Sequence, residues 1–164
     1  MEKFQQSQKD AIKHLQVADH MLYITYPVVK DNKLLMSITE NIFLALTKSM
    51  ASVLYYERLF KRVPPFHETF DSKFNLFETK IVRRYKIDEK FIRFISVVKD
   101  IIQAHKNSQV EFSRPDKYVI CVDNYKMKTI TVDKLKDYIH LTKEFLAITK
   151  RLVDKNAFIF RTSP

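Results

Sequence analysis

Not one of the 164 residues is glycine. Glycine is what lets a backbone turn tightly or lie close against a ligand. A phosphate-cradling loop, a dinucleotide fingerprint and a nucleophile elbow all need it, so those enzyme classes are not expected. The chain must be built from elements that tolerate side chains throughout. With 46% apolar residues it has material for one core, and at this length it needs neither disulfides nor a structural metal. The single cysteine, Cys121, lies between Ile120 and Val122 and reads as a buried, inert thiol. No cysteine pair, no apolar leader and no apolar stretch long enough for a bilayer are present. A soluble cytoplasmic protein, with no membrane partner, is therefore expected.

The spacing of apolar residues predicts a mainly α fold: an up-down helical bundle of about five helices, with a small β-hairpin inserted before the last. Phe4, Ala11, Leu15, Ala18 and Leu22 share one helical face over residues 2 to 26. Ser7 and Asp10 offer a cap that starts this helix near residue 8, and Pro27 ends it. From Lys33 to about Phe60 the pattern is apolar almost all round, with stripes Leu35, Ile38, Ile42, Ala45 and Phe43, Leu46, Met50, Val53. This is the central helix. Ala45, Ser49 and Ser52 form a ridge of small side chains on it, open to close approach by another helix. Pro64 and Pro65 forbid its continuation.

A third helix is predicted over 69 to 86, and a fourth from the Asp88 cap to about Lys106, with Ile87 and Ile92 able to staple across that cap. His105 falls on the inward stripe of the fourth helix, as a hydrogen-bonded core or boundary residue. A hairpin follows at about 117 to 131, turning at Asp123-Asn124, and Thr131 caps a last helix to about Asp154. A single domain over 1–156 and a tail over 157–164 result. The tail's Phe158, Ile159 and Phe160 are either docked on the bundle or used by a partner.

Charge separates the two parts of the chain. Of the net +10, residues 1–60 carry only +1 and residues 61–164 carry +9. A one-sided positive field attracts polyanions, RNA foremost. Lys61 and Arg62 follow the second helix, and Lys80, Arg83, Arg84 and Lys86 end the third, where cations also complement the helix dipole. Lys126 and Lys128 alternate along one hairpin strand, and Arg114 and Lys117 precede the other. With Tyr118 and Tyr125 exposed, this set offers phosphate contact plus base stacking. With the tyrosines packed on the bundle, it offers phosphate contact alone.

The candidate chemistry is Arg62-Val-Pro-Pro-Phe-His67, an arginine and a histidine with four residues between them. Histidine can act as general acid or base on a ribose hydroxyl, and arginine can steady the phosphate. With 8 Arg and 5 His in the chain, random placement alone yields about 0.7 such spacings. A solvated inter-helix loop, stiffened by Pro64 and Pro65, is the simpler reading of the segment. His14, His20 and His140 do not converge with other ligand types, so no metal and no cofactor is implied.

The long first and second helices, through Ala11-Ile-Lys-His-Leu-Gln-Val-Ala18 and Thr39-Glu-Asn-Ile-Phe-Leu-Ala-Leu46, resemble the HEPN superfamily over about residues 1–106. The resemblance implies a helical bundle, often dimeric, related to toxin and defence ribonucleases that use an Arg-x(4 to 6)-His motif at a dimer cleft. Arg62 would then be the phosphate-binding arginine and His67 the acid or base. In this chain the motif lies between helices two and three and carries two prolines, which favours a non-catalytic member. The leading expectation is binding of RNA or a ribonucleoprotein. Metal-independent RNA cleavage by Arg62 and His67, and a dimeric protein-interaction module, are the alternatives.

Overall fold

A computed structural model describes residues 1–122 and 126–161, with side chains described through Asp154. The expected turn at Asp123-Asn124, Tyr125 and the Phe158-Ile159-Phe160 side chains lie outside the described residues. The fold is the expected one, a mainly α bundle with a small antiparallel sheet before the last helix. Its elements are α1 (Lys3–His20), a π turn (Met21–Thr25), α2 (Tyr26–Val29), α3 (Lys33–Leu59), α4 (Phe70–Leu76), a second π segment (Phe77–Val82), α5 (Arg83–Tyr85), α6 (Glu89–Asn107), β1 (Val110–Arg114), β2 (Lys117–Val122), β3 (Lys126–Thr131) and α7 (Val132–Arg161). No helix is long and apolar enough to cross a membrane among the described residues.

α1 begins at Lys3, not near residue 8. Glu2 and Gln5 form a reciprocal capping box, with the Glu2 N–H donating to Gln5 Oε1 at 3.1 Å. Ser7, the expected cap, is instead buried inside the helix. Nor does the rod stop at Pro27. The Tyr26 N–H reaches back to the Met21 carbonyl, five residues away, and this wider turn absorbs the proline's missing donor and ring bulk. The helix closes only at Lys30, in a left-handed conformation.

α3 runs antiparallel to α1, as the Phe4–Tyr56 and His14–Asn41 contacts at its two ends show. Leu35, Ile38, Ile42, Leu46, Met50 and Leu54 are fully buried, because α1, α4, α6 and α7 surround α3. The small-residue ridge lies beneath α7: Ser49 Oγ and Thr149 Oγ1 meet at 2.5 Å. It is therefore an internal packing surface, not one left open for a partner chain. Phe145 of α7 fills the space between Phe77 and Phe91.

Having no glycine, the chain ends three helical rods on lysines with positive φ: Lys30 (55°), Lys61 (55°) and Lys86 (53°). After α3 the Arg62 N–H bonds the Glu57 carbonyl and the Lys61 N–H the Arg58 carbonyl, both at 3.0 Å, a Schellman closure. After α5 the Ile87 N–H bonds the Val82 carbonyl at 3.1 Å, and both side chains are buried. Lysine accepts a cost of about 1 kcal/mol for this geometry, partly offset by its charge at the negative helix end.

The expected caps at Asp88 and Thr131 are present, accepting from Lys90 N at 2.9 Å and Lys134 N at 3.1 Å. The hairpin carries an additional strand, β1, giving the order β1-β2-β3. The sheet sits at the start of α3, where Asn32 Nδ2 donates to the Arg114 carbonyl at 2.7 Å and the Tyr26 hydroxyl donates to Asp116 at 2.7 Å. α7 does not end near Asp154 but continues to Arg161. Cys121 is half-buried rather than buried, because it lies at the end of β2, where burial falls off: Tyr118, Val119 and Ile120 before it are buried, while Cys121 and Val122 are half-buried.

Candidate functional site

The end of α3 places Glu57 in the interior. Its side chain is 1% exposed, yet it carries a carboxylate. A charge so removed from water must be matched locally, and the chain supplies three groups. Arg84 Nη1 donates to Glu57 Oε2 at 3.0 Å, Arg62 Nη1 lies 3.5 Å from the same oxygen, and the Tyr85 hydroxyl donates to Glu57 Oε1. Arg84 Nη2 also donates to the Arg62 carbonyl at 3.4 Å, so the two arginines are held to each other as well as to the carboxylate. Burial, and then the bond to Glu57, push the Tyr85 hydroxyl above its ordinary range, keeping it a donor.

The outward result is cationic. One buried negative charge faces two guanidinium groups that remain 37% and 38% exposed, with Lys61 next along the chain. Arg62 also lies over the Phe60 ring, 5.2 Å from its centroid. Two fixed guanidinium forks beside an exposed lysine can hold phosphate oxygens with little further loss of side-chain freedom.

Arg62 and His67, the expected catalytic pair, are not joined. The Arg62 guanidinium turns to Glu57, while the His67 N–H bonds Ser72 Oγ at 3.2 Å to start the next helix. No hydrogen bond connects the two side chains among the described residues.

The expected basic cluster divides. Arg62, Arg84 and Lys61 gather at the end of α3, with Lys86 just beyond α5 and Lys80 exposed on the preceding π segment. Arg83 lines a separate groove between the second π segment and α6, shared with Glu78, Glu89 and Arg93. Arg114 and Lys117 pair directly in the sheet beside Asn32, at the other end of α3. The 25 residues from Asn32 to Glu57 span about 38 Å of helix. Lys126 and Lys128 lie opposite Val122 and Ile120, which puts them on the other face of the sheet from Lys117. Lys126 is also about 17 Å further along, since Val122 is five residues from Lys117. Sequence proximity within the hairpin hid this separation, because alternation and register send neighbours to opposite faces.

A second polar cluster was only partly legible. His105 is half-buried, as a boundary histidine should be, with Nδ1 2.6 Å from Glu111 Oε1 and Nε2 3.5 Å from Glu40 Oε1. Ser108 Oγ donates to Glu111 Oε1 at 2.6 Å, and the Tyr118 hydroxyl donates to Oε2. Burial raises the Glu111 carboxyl, but the Ser108, Tyr118 and His105 hydrogen bonds outweigh it and hold the group below its ordinary range. Tyr118 is thus packed inward, leaving the described part of the sheet phosphate contacts without that stacking ring. The cluster ties α6, β1, β2 and α3 together and is structural in geometry. His14 bonds Asn41, His140 pairs with Glu144, and no group of three or more His, Cys, Asp or Glu suited to a metal occurs among the described residues. No family model, no curated protein and no solved structure matches this chain.

Proposed function

We propose that the chain is a cytoplasmic, HEPN-like helical protein that binds RNA or a ribonucleoprotein, holding phosphates at the end of α3 through Lys61, Arg62 and Arg84. The observation that carries this reading is the buried Glu57 carboxylate, which fixes two guanidinium groups at a surface that stays net positive. The +9 charge after residue 60 supports the same ligand class. Binding without cleavage is favoured by the commitment of Arg62 to Glu57 and its separation from His67 in hydrogen bonding.

The test is the affinity for a labelled single-stranded RNA of about a dozen nucleotides over a salt series. Binding should weaken steeply as salt rises, and Lys61→Gln should flatten the log-log slope by about 0.7, the counterion release of one contact to a single strand. No binding at low salt, or an affinity indifferent to salt, defeats the proposal. RNA cut by the parent and spared by His67→Ala replaces it with the ribonuclease reading.

A further inference from the structure

Next to this cationic pole lies a groove of about 620 Å³, bounded by the start of α1, the last turn of α3 and the loop at Pro65–Glu68. The volume is in the range of small-ligand sites. Phe4, Tyr55, Leu59 and Phe66 supply its apolar surface. The Tyr55 and Phe66 rings stack at 5.7 Å, and Leu59 is left 52% exposed at the lip.

The charged groups around it are unequally matched. Glu2 is engaged in capping α1. Glu68 accepts from the Tyr55 hydroxyl at 2.5 Å and pairs with Lys73 at 2.8 Å and Lys3 at 3.7 Å. Arg58, in the last turn of α3, and Lys61, just beyond it, make no ion pair among the described residues. The carboxylates are satisfied and two cations are not. The complement of this groove is a flat apolar body carrying a negative charge at one edge.

We infer that the groove takes one unpaired nucleotide of a single-stranded RNA, its base against Phe66 and Leu59 and its phosphate on Arg58 and Lys61. The inference rests on the RNA-binding reading and deepens it. Lys61 belongs to both surfaces, so a strand whose phosphates lie along Lys61 and Arg62 passes the mouth of the groove. A base within a duplex is stacked and paired and cannot enter without being unstacked.

The experiment compares the full chain's affinity for a labelled single strand and for a hairpin duplex of the same composition. It is run on the parent, Phe66→Ala and Leu59→Asn, the last at a half-exposed position that leaves the fold in place. The parent should prefer the single strand by roughly tenfold, the worth of one base stack, and both variants should lose most of that preference with the salt slope unchanged. Salt-dependent binding with equal affinity for both forms, or a preference untouched by both variants, overturns the groove assignment and leaves the RNA-binding reading standing. Failure of both RNAs to bind overturns the two together.

Discussion

Arg84 Nη1 and Glu57 Oε2 meet at 3.0 Å across 27 residues of sequence, joining the end of the third helical rod to the end of the central one. The carboxylate is almost fully enclosed and both of its arginines are over a third exposed, so the pair is asymmetric. Losing Glu57 frees the arginines into water. Losing an arginine leaves a buried charge less well matched.

Glu57→Gln should therefore lower stability by about 2 kcal/mol, the usual worth of hydrogen bonds to a buried charged group. In a chain of this size that corresponds to a melting temperature lower by roughly 4–8 °C. A circular dichroism melt coincident with the parent's would show that Glu57 does not organise this end of the bundle.

Lys86 sits at φ 53°, where a Cβ is unfavourable. Lys86→Gly should be more stable than Lys86→Ala by about 1 kcal/mol, although glycine is the poorer residue within a helix. Both variants remove the same charge, so the difference isolates the backbone conformation. Chemical denaturation of the two reads it, and equal midpoints would contradict the left-handed closure.

The Glu111 carboxyl is held below its ordinary value, taken as 4.5, by Ser108, Tyr118 and His105. A depressed carboxyl stabilises the fold above its unfolded pKa, and that contribution is lost as pH falls through the folded one. Stability should drop on acidification below about pH 4.5, and Glu111→Gln should flatten that part of the profile. Denaturation midpoints between pH 2 and 6 measure this, with parallel curves counting against it.

Tyr26 and Tyr118 are both pushed up to about 12, by burial first and then by the Asp116 and Glu111 carboxylates they donate to. Raised phenols stabilise the protein below their unfolded value of 10.0 and withdraw that contribution as pH climbs toward 12. In an ultraviolet titration of the folded protein, the group of tyrosines that ionises last, near 12, should lose one member in each of Tyr26→Phe and Tyr118→Phe. A single transition near 10 for every tyrosine would refute both environments.

Lys126→Gln with Lys128→Gln should leave RNA affinity within about twofold of the parent, whereas Lys61→Gln should weaken it. The two lysines of β3 lie on the other sheet face from Lys117, and the sheet stands at the opposite end of α3 from Arg62. Anisotropy titrations at one salt concentration separate the sites. Equal losses from both would place RNA on the sheet as well.

Much of the bundle was legible along the chain. The stripes of α3 are buried as their spacing requires, and Asp88 and Thr131 cap the helices that follow them, since periodicity and capping are local properties. The early start of α1 turned on one reciprocal bond between Glu2 and Gln5, and its passage through Pro27 on a single wide turn. Neither has a strong composition signal.

Sequence alone determined a glycine-free helical scaffold with its positive charge concentrated after residue 60, because these depend on residue type and spacing. Only the tertiary structure decided which cations share a surface. It drew Arg62 and Arg84 onto Glu57, left Arg83 lining a separate groove with Glu78 and Glu89, and set Arg114 and Lys117 at the far end of α3. The physical reason is that a carboxylate sealed inside the bundle requires its counter-charges wherever the fold can deliver them, and helix phase and strand register determine which residues can reach.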